Sequence, residues 1–266
     1  MADLLTARSG RIRAAARLAD RRARREAGRF LVEGPQLLAE ACAVPGAVQE
    51  VYATPEASER YADLRAAAPV PWQLADDRAL AALSDTVTPT GLAAVCSSAG
   101  VLHDLETAVD AGARLVAVCA DVRDPGNAGT VIRCADAAGA DAVVFAGHSV
   151  DPLNAKCVRA SVGSLFHLPL AVVPEVAEVL SFLRGRGLAV LAADGAGEID
   201  LFAAEELLTA PTAWLFGNEA WGLPPDTAAL ADHRVRIPIL GRAESLNLAT
   251  AAAVCLYATA RAHQGQ

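Results

Sequence analysis

Residues Leu115-Val-Ala-Val-Cys-Ala120-Asp121-Val-Arg-Asp-Pro-Gly-Asn127-Ala-Gly129-Thr-Val-Ile-Arg133 run from six apolar or small side chains into a turn and then into helical spacing. A strand that is apolar throughout is buried on both faces, which points to a parallel sheet covered by helices. The pattern repeats towards the C-terminus. Further strands are predicted at 142–146, 168–173, 188–193, 213–216 and 234–239, with helices at 128–138, 154–162, 176–186 and 246–261. Such an order predicts an α/β domain whose ligands sit at the carboxyl ends of its strands.

Upstream, shorter elements alternate. Phe30–Glu33 reads as a strand stopped by Gly34-Pro35, 36–42 as a short helix, 48–53 as a strand, 61–68 as helical, 72–74 as extended, 77–83 as helical and 91–97 as a strand. These make a small α/β unit, and the more polar stretch 98–112 is read as a linker. Two domains follow, 1–105 and 106–266.

The 266 residues, 53 % hydrophobic and 20 % charged, exclude a disordered chain. No apolar run suits a membrane helix or a signal peptide, so a soluble, cytoplasmic protein without membrane attachment is expected. Cys42, Cys96, Cys119, Cys134, Cys157 and Cys255 lie far apart with no C-x-x-C pair. They read as free thiols in a reducing compartment, and no metal site is expected. A P-loop is excluded, because the only lysine, Lys156, follows Ala155 and Val150 where glycines are required.

The net charge of −8 hides an asymmetry. Residues 1–29 hold nine arginines against Asp3, Asp20 and Glu26, a net of +6 that leaves −14 for the rest. Ile12, Ala15, Ala16, Ala19 and Ala23 fall on one helical stripe and Arg17, Arg21, Arg24 and Arg25 on another, which predicts one Ala-rich helix with a cationic face. A solvated helix or an organelle transit peptide has the same composition. Guanidinium groups pair bidentately with phosphate, however, so an arginine face on an acidic protein favours nucleic acid, with Arg8, Arg11, Arg17, Arg21 and Arg25 as candidate contacts.

Three loops carry candidate chemistry. In 121–133, Pro125-Gly126 makes a turn, Asn127 is suited to cap the helix, and Arg133 stands in sequence among Val131, Ile132, Cys134 and Ala135, where it needs a polar or anionic partner. In Trp214-Leu-Phe-Gly217-Asn218-Glu219-Ala220-Trp221-Gly222, two glycines permit close backbone approach and Glu219 places a carboxylate at the strand's end. A tight turn with a surface acid is the plainer reading. Ile237-Pro-Ile-Leu-Gly-Arg-Ala-Glu-Ser245-Leu246-Asn247 opens the last helix, where Ser245 or Asn247 either caps it or faces a substrate.

Taken in order, these loops resemble the three signature motifs of the SpoU family of AdoMet-dependent RNA 2′-O-ribose methyltransferases, within the SPOUT superfamily. Asn127, Gly129 and Arg133 match the first motif, Gly217, Asn218 and Glu219 the second, and Ser245, Leu246 and Asn247 the third. More loosely, Arg29–Gly34 and Thr90–Val95 resemble the ends of the substrate-binding domain often fused to this enzyme. The resemblance implies a trefoil-knotted C-terminal domain, a preceding RNA-binding domain, and a homodimer formed through the C-terminal domain. It also implies S-adenosyl-L-methionine (AdoMet) held by Leu215, Gly217, Asn218, Ile237 and Leu246. Asn127, Arg133, Glu219, Ser245 and Asn247 would be the catalytic set: Arg133 steadies the nascent alkoxide, the others position hydroxyl and phosphate, and Glu219 is either a base or a brace for the guanidinium. The implied substrate is structured RNA, rRNA (23S) ahead of tRNA.

One departure concerns Ala220, where the family commonly has glycine: if the position needs positive φ, alanine strains it. Trp221 reads either as a core or dimer-contact residue or as a stacking platform for a base. Rival readings are a non-catalytic RNA-binding protein that keeps the fold, and a dinucleotide-binding dehydrogenase. The second fails because Asp200 stands where G-x-G-x-x-G needs its third glycine after Gly195 and Gly197.

Overall fold

The structure, a computed structural model, describes residues 4–265; Asp3, counted in the N-terminal charge, lies outside them. The chain forms two compact units, one running up to Val101 and including Leu153–Phe166, the other comprising Leu102–Pro152 and His167 onward.

In the first unit, β1 (Arg29–Glu33), β2 (Val48–Ala53), β3 (Trp72–Leu74) and β4 (Leu92–Ser97) form a sheet in the order β1-β4-β2-β3. β4 is antiparallel to both neighbours, and β3 is parallel to β2. The basic segment is not one helix. Helix Gly10–Ala16 and a 3-10 turn, Arg17–Ala19, end at Asp20, whose extended backbone and carboxylate, accepting the Ala23 N–H at 3.0 Å, start a separate helix, Arg21–Ala27. Ile12, Ala15 and Leu18 are buried against Leu31, Tyr52 and Leu80. Arg24 leaves the cationic stripe: it is 5 % exposed and donates to the carbonyls of Leu18 (2.9 Å) and Ala19 (2.8 Å), closing the preceding turn. Arg8, Arg11, Arg17, Arg21 and Arg25 are exposed. A helix that the sequence reading lacked, Pro55–Arg60, is capped by Thr54.

Helix Ala155–Ser161 and the turn Ser164–Phe166 also pack in this unit, although the sequence reading put them in the second domain. Cys157, Val158 and Leu165 are buried, and the Phe166 ring stacks on Phe30 with centroids 6.1 Å apart. Glu33 accepts from Ser84 Oγ (2.6 Å) and Thr86 Oγ1 (2.9 Å), and Arg159 pairs with Asp85.

In the second unit, the strands are β5 (Leu102–His103), β6 (Leu115–Ala120), β7 (Ala142–Ala146), β8 (Leu170–Val173), β9 (Ala189–Ala193), β10 (Ile199–Asp200), β11 (Thr212–Phe216) and β12 (His233–Arg236). They form one eight-stranded sheet, β10-β12-β9-β11-β6-β7-β8-β5, in which every neighbouring pair is parallel. The expected α/β class with a parallel sheet is thus found. Within the stretch read as linker lie β5 and a short helix, Leu105–Ala108. β12 stops before the expected 239 because Pro238 has no N–H for a ladder.

Side chains alternate between the two sheet faces. One set, including Val116, Val118, Val144, Val190 and Leu215, joins Val179, Leu180 and Leu183 of helix Val176–Gly185. On the other face, Trp214 Nε1 donates to Thr259 Oγ1 at 2.9 Å in the buried interior, fastening the last helix, Leu248–Gln264, to β11. Fully burying side chains of this size contributes about 1.5–3 kcal/mol each. Cys96, Cys119, Cys157 and Cys255 are buried free thiols; Cys42 and Cys134 are half-buried. No helix among the described residues is long and apolar enough to cross a membrane.

Candidate active site

Because all strands of the second unit are parallel, the chain leaves β6 at Asp121, β7 at Gly147, β11 at Gly217 and β12 at Ile237 along the same edge of the sheet. Helix Pro125–Ala137 follows β6. Its N-cap is Asp124, not Asn127: the Asp124 carboxylate accepts the Asn127 N–H at 2.9 Å, and Pro125 fills the first helical position, where no N–H is needed. Asn127 therefore keeps its side chain for other partners.

Those partners come from the other two loops. Glu219 accepts the backbone N–H groups of Asp124 (Oε1, 2.9 Å) and Arg123 (Oε2, 3.1 Å) and the Asn127 side-chain amide (Oε1, 3.4 Å). Asn247 Nδ2 in turn donates to Asn127 Oδ1 at 3.0 Å, while Asn247 Oδ1 caps the last helix through the N–H groups of Ala249 (2.9 Å) and Thr250 (3.3 Å). One chain of hydrogen bonds, Glu219 to Asn127 to Asn247, thus links loops separated by about a hundred residues of sequence. Bonds to an ionised carboxylate are the stronger kind. Glu219 acts here as a strut for the turn and for Asn127; among the described residues it forms no hydrogen bond or ion pair with Arg133.

The second loop is itself a tight hairpin. Asn218 and Gly222 exchange N–H···O bonds of 2.9 Å each, and Gly222 takes φ +69°. Asn218, 6 % exposed, accepts the Ala220 N–H at 2.8 Å and donates through Nδ2 to the Asp121 carbonyl at 2.8 Å. Gly217 is required by closeness: a Cβ there would lie 2.5 Å from the Gly222 carbonyl carbon. Ala220 is outside the positive-φ region, so alanine there carries no backbone strain; the left-handed residue of the hairpin is Gly222. Trp221 is 61 % exposed and so is not a core residue.

Asp121 was not singled out by sequence. It adopts φ +55°, a conformation that a non-glycine residue holds only when its surroundings compensate. Its Oδ1 accepts the His148 N–H at 2.8 Å, and its main-chain oxygen accepts from Asn218. The chemical signal for αL tolerance is the Asp side chain itself.

The structure does not bring every expected residue into this network. Arg133 is exposed and, among the described residues, has no hydrogen-bond or ion-pair partner. The buried residues of its helix are Ala128, Gly129, Val131, Ile132 and Ala135, and Arg133 points away from that stripe, so the expected burial cost does not arise. A helical side chain leans towards the N-terminal turn, which directs Arg133 towards the sheet edge. Ser245 and Leu246 are exposed, and Asn247 is the cap that Ser245 also suited. Ile237 is half-buried and Leu215 is fully buried in β11. Among the described residues, the backbone groups of 237–246 form no hydrogen bond, leaving donors and acceptors open beside the apolar side chains of Ile239, Leu240 and Leu246.

Comparison with known proteins gives two matches to family models: residues 114–257 to the SpoU rRNA Methylase family and residues 10–94 to the MRM3-like substrate binding domain. The chain is 34 % identical over 260 residues to 23S rRNA (guanosine(2553)-2′-O)-methyltransferase RlmP of Bacillus subtilis (strain 168), covering 97 % of this chain and 98 % of that protein. It is 42 % identical over 142 residues to the 23S rRNA (uridine(2479)-2′-O)-methyltransferase of Streptomyces viridochromogenes, covering 52 % of this chain and 49 % of that protein. Among solved structures, the SpoU methyltransferase AviRb from Streptomyces viridochromogenes in complex with the cofactor AdoMet superposes with a TM-score of 0.86 at 31 % identity, covering 96 % of this chain and 98 % of that one. An AdoMet-bound rRNA methyltransferase from Sinorhizobium meliloti gives 0.83 at 27 % identity, with 97 % of each chain covered.

Proposed function

The chain belongs to the SpoU rRNA methylase family, and from that premise we propose that it transfers a methyl group from AdoMet to a ribose 2′-oxygen of 23S rRNA in the cytoplasm. The observation that carries this reading is the Glu219–Asn127–Asn247 chain of hydrogen bonds, which draws three loops together at the carboxyl edge of a parallel sheet.

The residues present fit AdoMet. The open backbone groups of 237–246 can recognise an adenine edge, and exposed Ile239, Leu240 and Leu246 offer it an apolar surface. Leu215, Gly217, Asn218, Ile237 and Leu246 would hold the cofactor, which supplies an electrophilic methyl group on a sulfonium when bound. The remaining work falls to the protein. Asn127, fixed from both sides, and Asn247 orient the ribose and its phosphate; Ser245 offers a hydroxyl for the same purpose. The Arg133 guanidinium stabilises the negative charge that develops on the 2′-oxygen. Holding the hydroxyl in line with the methyl group removes much of the entropic barrier. Glu219 keeps the turn in place.

Exposed Arg8, Arg11, Arg17, Arg21 and Arg25 supply phosphate contacts from the first unit. Two copies pair through the second unit, whose exposed Trp221, Leu240 and Tyr257 are large apolar side chains in need of cover. A trefoil knot in the second unit is part of the same proposal, and it is supported by the last helix, which follows β12 and packs on β11 and β6.

The test is to incubate the full chain with methyl-labelled AdoMet and either a 23S rRNA transcript or bulk tRNA, then digest the RNA to nucleosides. A 2′-O-methylated nucleoside from rRNA is expected. Label on a base, or on tRNA alone, would overturn the assignment of reaction or substrate respectively.

A further inference from the structure

The second unit carries nine arginines against nineteen Asp and Glu residues, a net of −10. RNA approaching such a surface is repelled unless local cations receive it. Five of the nine are engaged. Arg114 donates to the Thr209 carbonyl, Arg184 pairs with Asp232, Arg186 lies over the Phe182 ring, Arg234 pairs with Glu198, and Arg236 with Asp200. Among the described residues, the guanidinium groups of Arg123, Arg133, Arg242 and Arg261 have no hydrogen-bond or ion-pair partner, and all four residues are exposed. Unpaired arginines amid twice as many carboxylates mark places that the protein's own acids do not reach.

Three of the four belong to the segments that build the site. Arg123 is anchored at its root, because its N–H is held by Glu219 while its guanidinium is free. The carboxylates nearest in sequence are occupied: Asp124 caps its helix, Asp121 accepts from His148, and Glu219 holds two backbone N–H groups. Arg242 stands on the extended stretch that ends at Asn247; Glu244, also exposed, makes no pair with it.

We propose that Arg123 and Arg242 bind the RNA phosphates flanking the target nucleotide, a second cationic contact separate from the N-terminal arginines. This rests on the ribose-methylation reading above. Arginine suits the task, since its planar fork meets two phosphate oxygens at once.

The test compares Arg123→Ala, Arg242→Ala and the double variant with wild type in the full chain, with Arg261→Ala as the control on the same acidic unit. For a 23S rRNA transcript, each single variant should raise KM about three- to tenfold, with the loss falling on KM more than on kcat. The slope of log affinity against log salt should flatten by about one per arginine. AdoMet affinity should be unchanged, and Arg123→Lys should recover part of the loss. RNA binding is also measured by filter retention without cofactor. If wild type transfers no methyl group, the methyltransferase reading fails while the binding data still judge the two arginines. Unchanged RNA affinity and salt slope in the double variant, or an equal effect from Arg261→Ala, would overturn the proposal.

Discussion

Replacing Gly217 by alanine tests the hairpin on which the second loop depends. The added Cβ would meet the Gly222 carbonyl carbon at 2.5 Å and the Gly222 oxygen and Leu223 nitrogen at 2.6 Å each. All three are backbone atoms, so no side chain can swing aside. Carbon contacts settle near 3.5 Å, so the two strands of the hairpin must part by about 1 Å. The reciprocal Asn218–Gly222 bonds, now 2.9 Å, would then stretch beyond hydrogen-bond range. Overpacking costs about 1–3 kcal/mol, and two lost bonds about 0.5–1.5 kcal/mol each, together about 2–6 kcal/mol. Thermal unfolding followed by calorimetry should show a Tm lowered by at least about 4 °C, and AdoMet affinity should fall at least about tenfold as Asn218 loses its hold on Asp121. Gly195→Ala is the control, since an added Cβ there meets nothing within 4 Å. A Gly217→Ala protein that melts and binds AdoMet like wild type would refute the argument.

Arg133→Ala should cut turnover by about a hundredfold or more while sparing AdoMet affinity measured by titration calorimetry, because its partner is the reacting oxygen; full activity would remove it from the mechanism. Glu219→Ala strands three N–H donors and should lower kcat/KM by about tenfold or more, with Glu219→Gln restoring part of it through the retained oxygen acceptor. If glutamine is no better than alanine, the strut account is wrong. Changing Arg8, Arg11, Arg17, Arg21 and Arg25 together to Gln should flatten the salt dependence of RNA binding without altering AdoMet affinity; deleting 1–29 is the poorer test, because it strips Ile12, Ala15, Leu18 and Arg24 from the first unit's interior. Burial pushes the thiols of Cys96 and Cys119 from 9.0 up to about 12, and burial with the Glu50 hydrogen bond raises Tyr52 as well. Each group favours its protonated form in the folded state, so its stabilisation is whole below the ordinary value and is lost as pH rises. Urea midpoints should hold from pH 7 to about 8.5 and decline from pH 9 upward, and a flat profile to pH 11 would contradict it.

The fully apolar strands 115–120 and 142–146 were legible because burial on both faces leaves no polar position, and the loops beyond them because Gly, Asn and Glu cluster at strand ends. Arg133 was misread because its sequence neighbours are apolar; at 3.6 residues per turn the relevant neighbours are different ones, and they leave it outside. Asp124, ahead of Pro125, carried the cap signature that was assigned to Asn127. Arg24 repeats the spacing of its exposed neighbours, and only the helix break at Asp20 turns it inward. Helix 155–161 shows an apolar stripe, but periodicity says that a face is covered without saying by which core.

Helix Ala155–Ser161 has a consequence for synthesis. The first unit needs Leu153–Phe166, so its β1 cannot receive Phe166 against Phe30 until residues 102–166 have followed Val101 out of the ribosome. At about 5–20 residues per second this is a delay of roughly 3–13 s. During that interval the surface destined for Cys157, Val158, Leu165 and Phe166 stays open to water and to chaperones. Folding of the N-terminal unit is thereby tied to translation well into the domain that follows it.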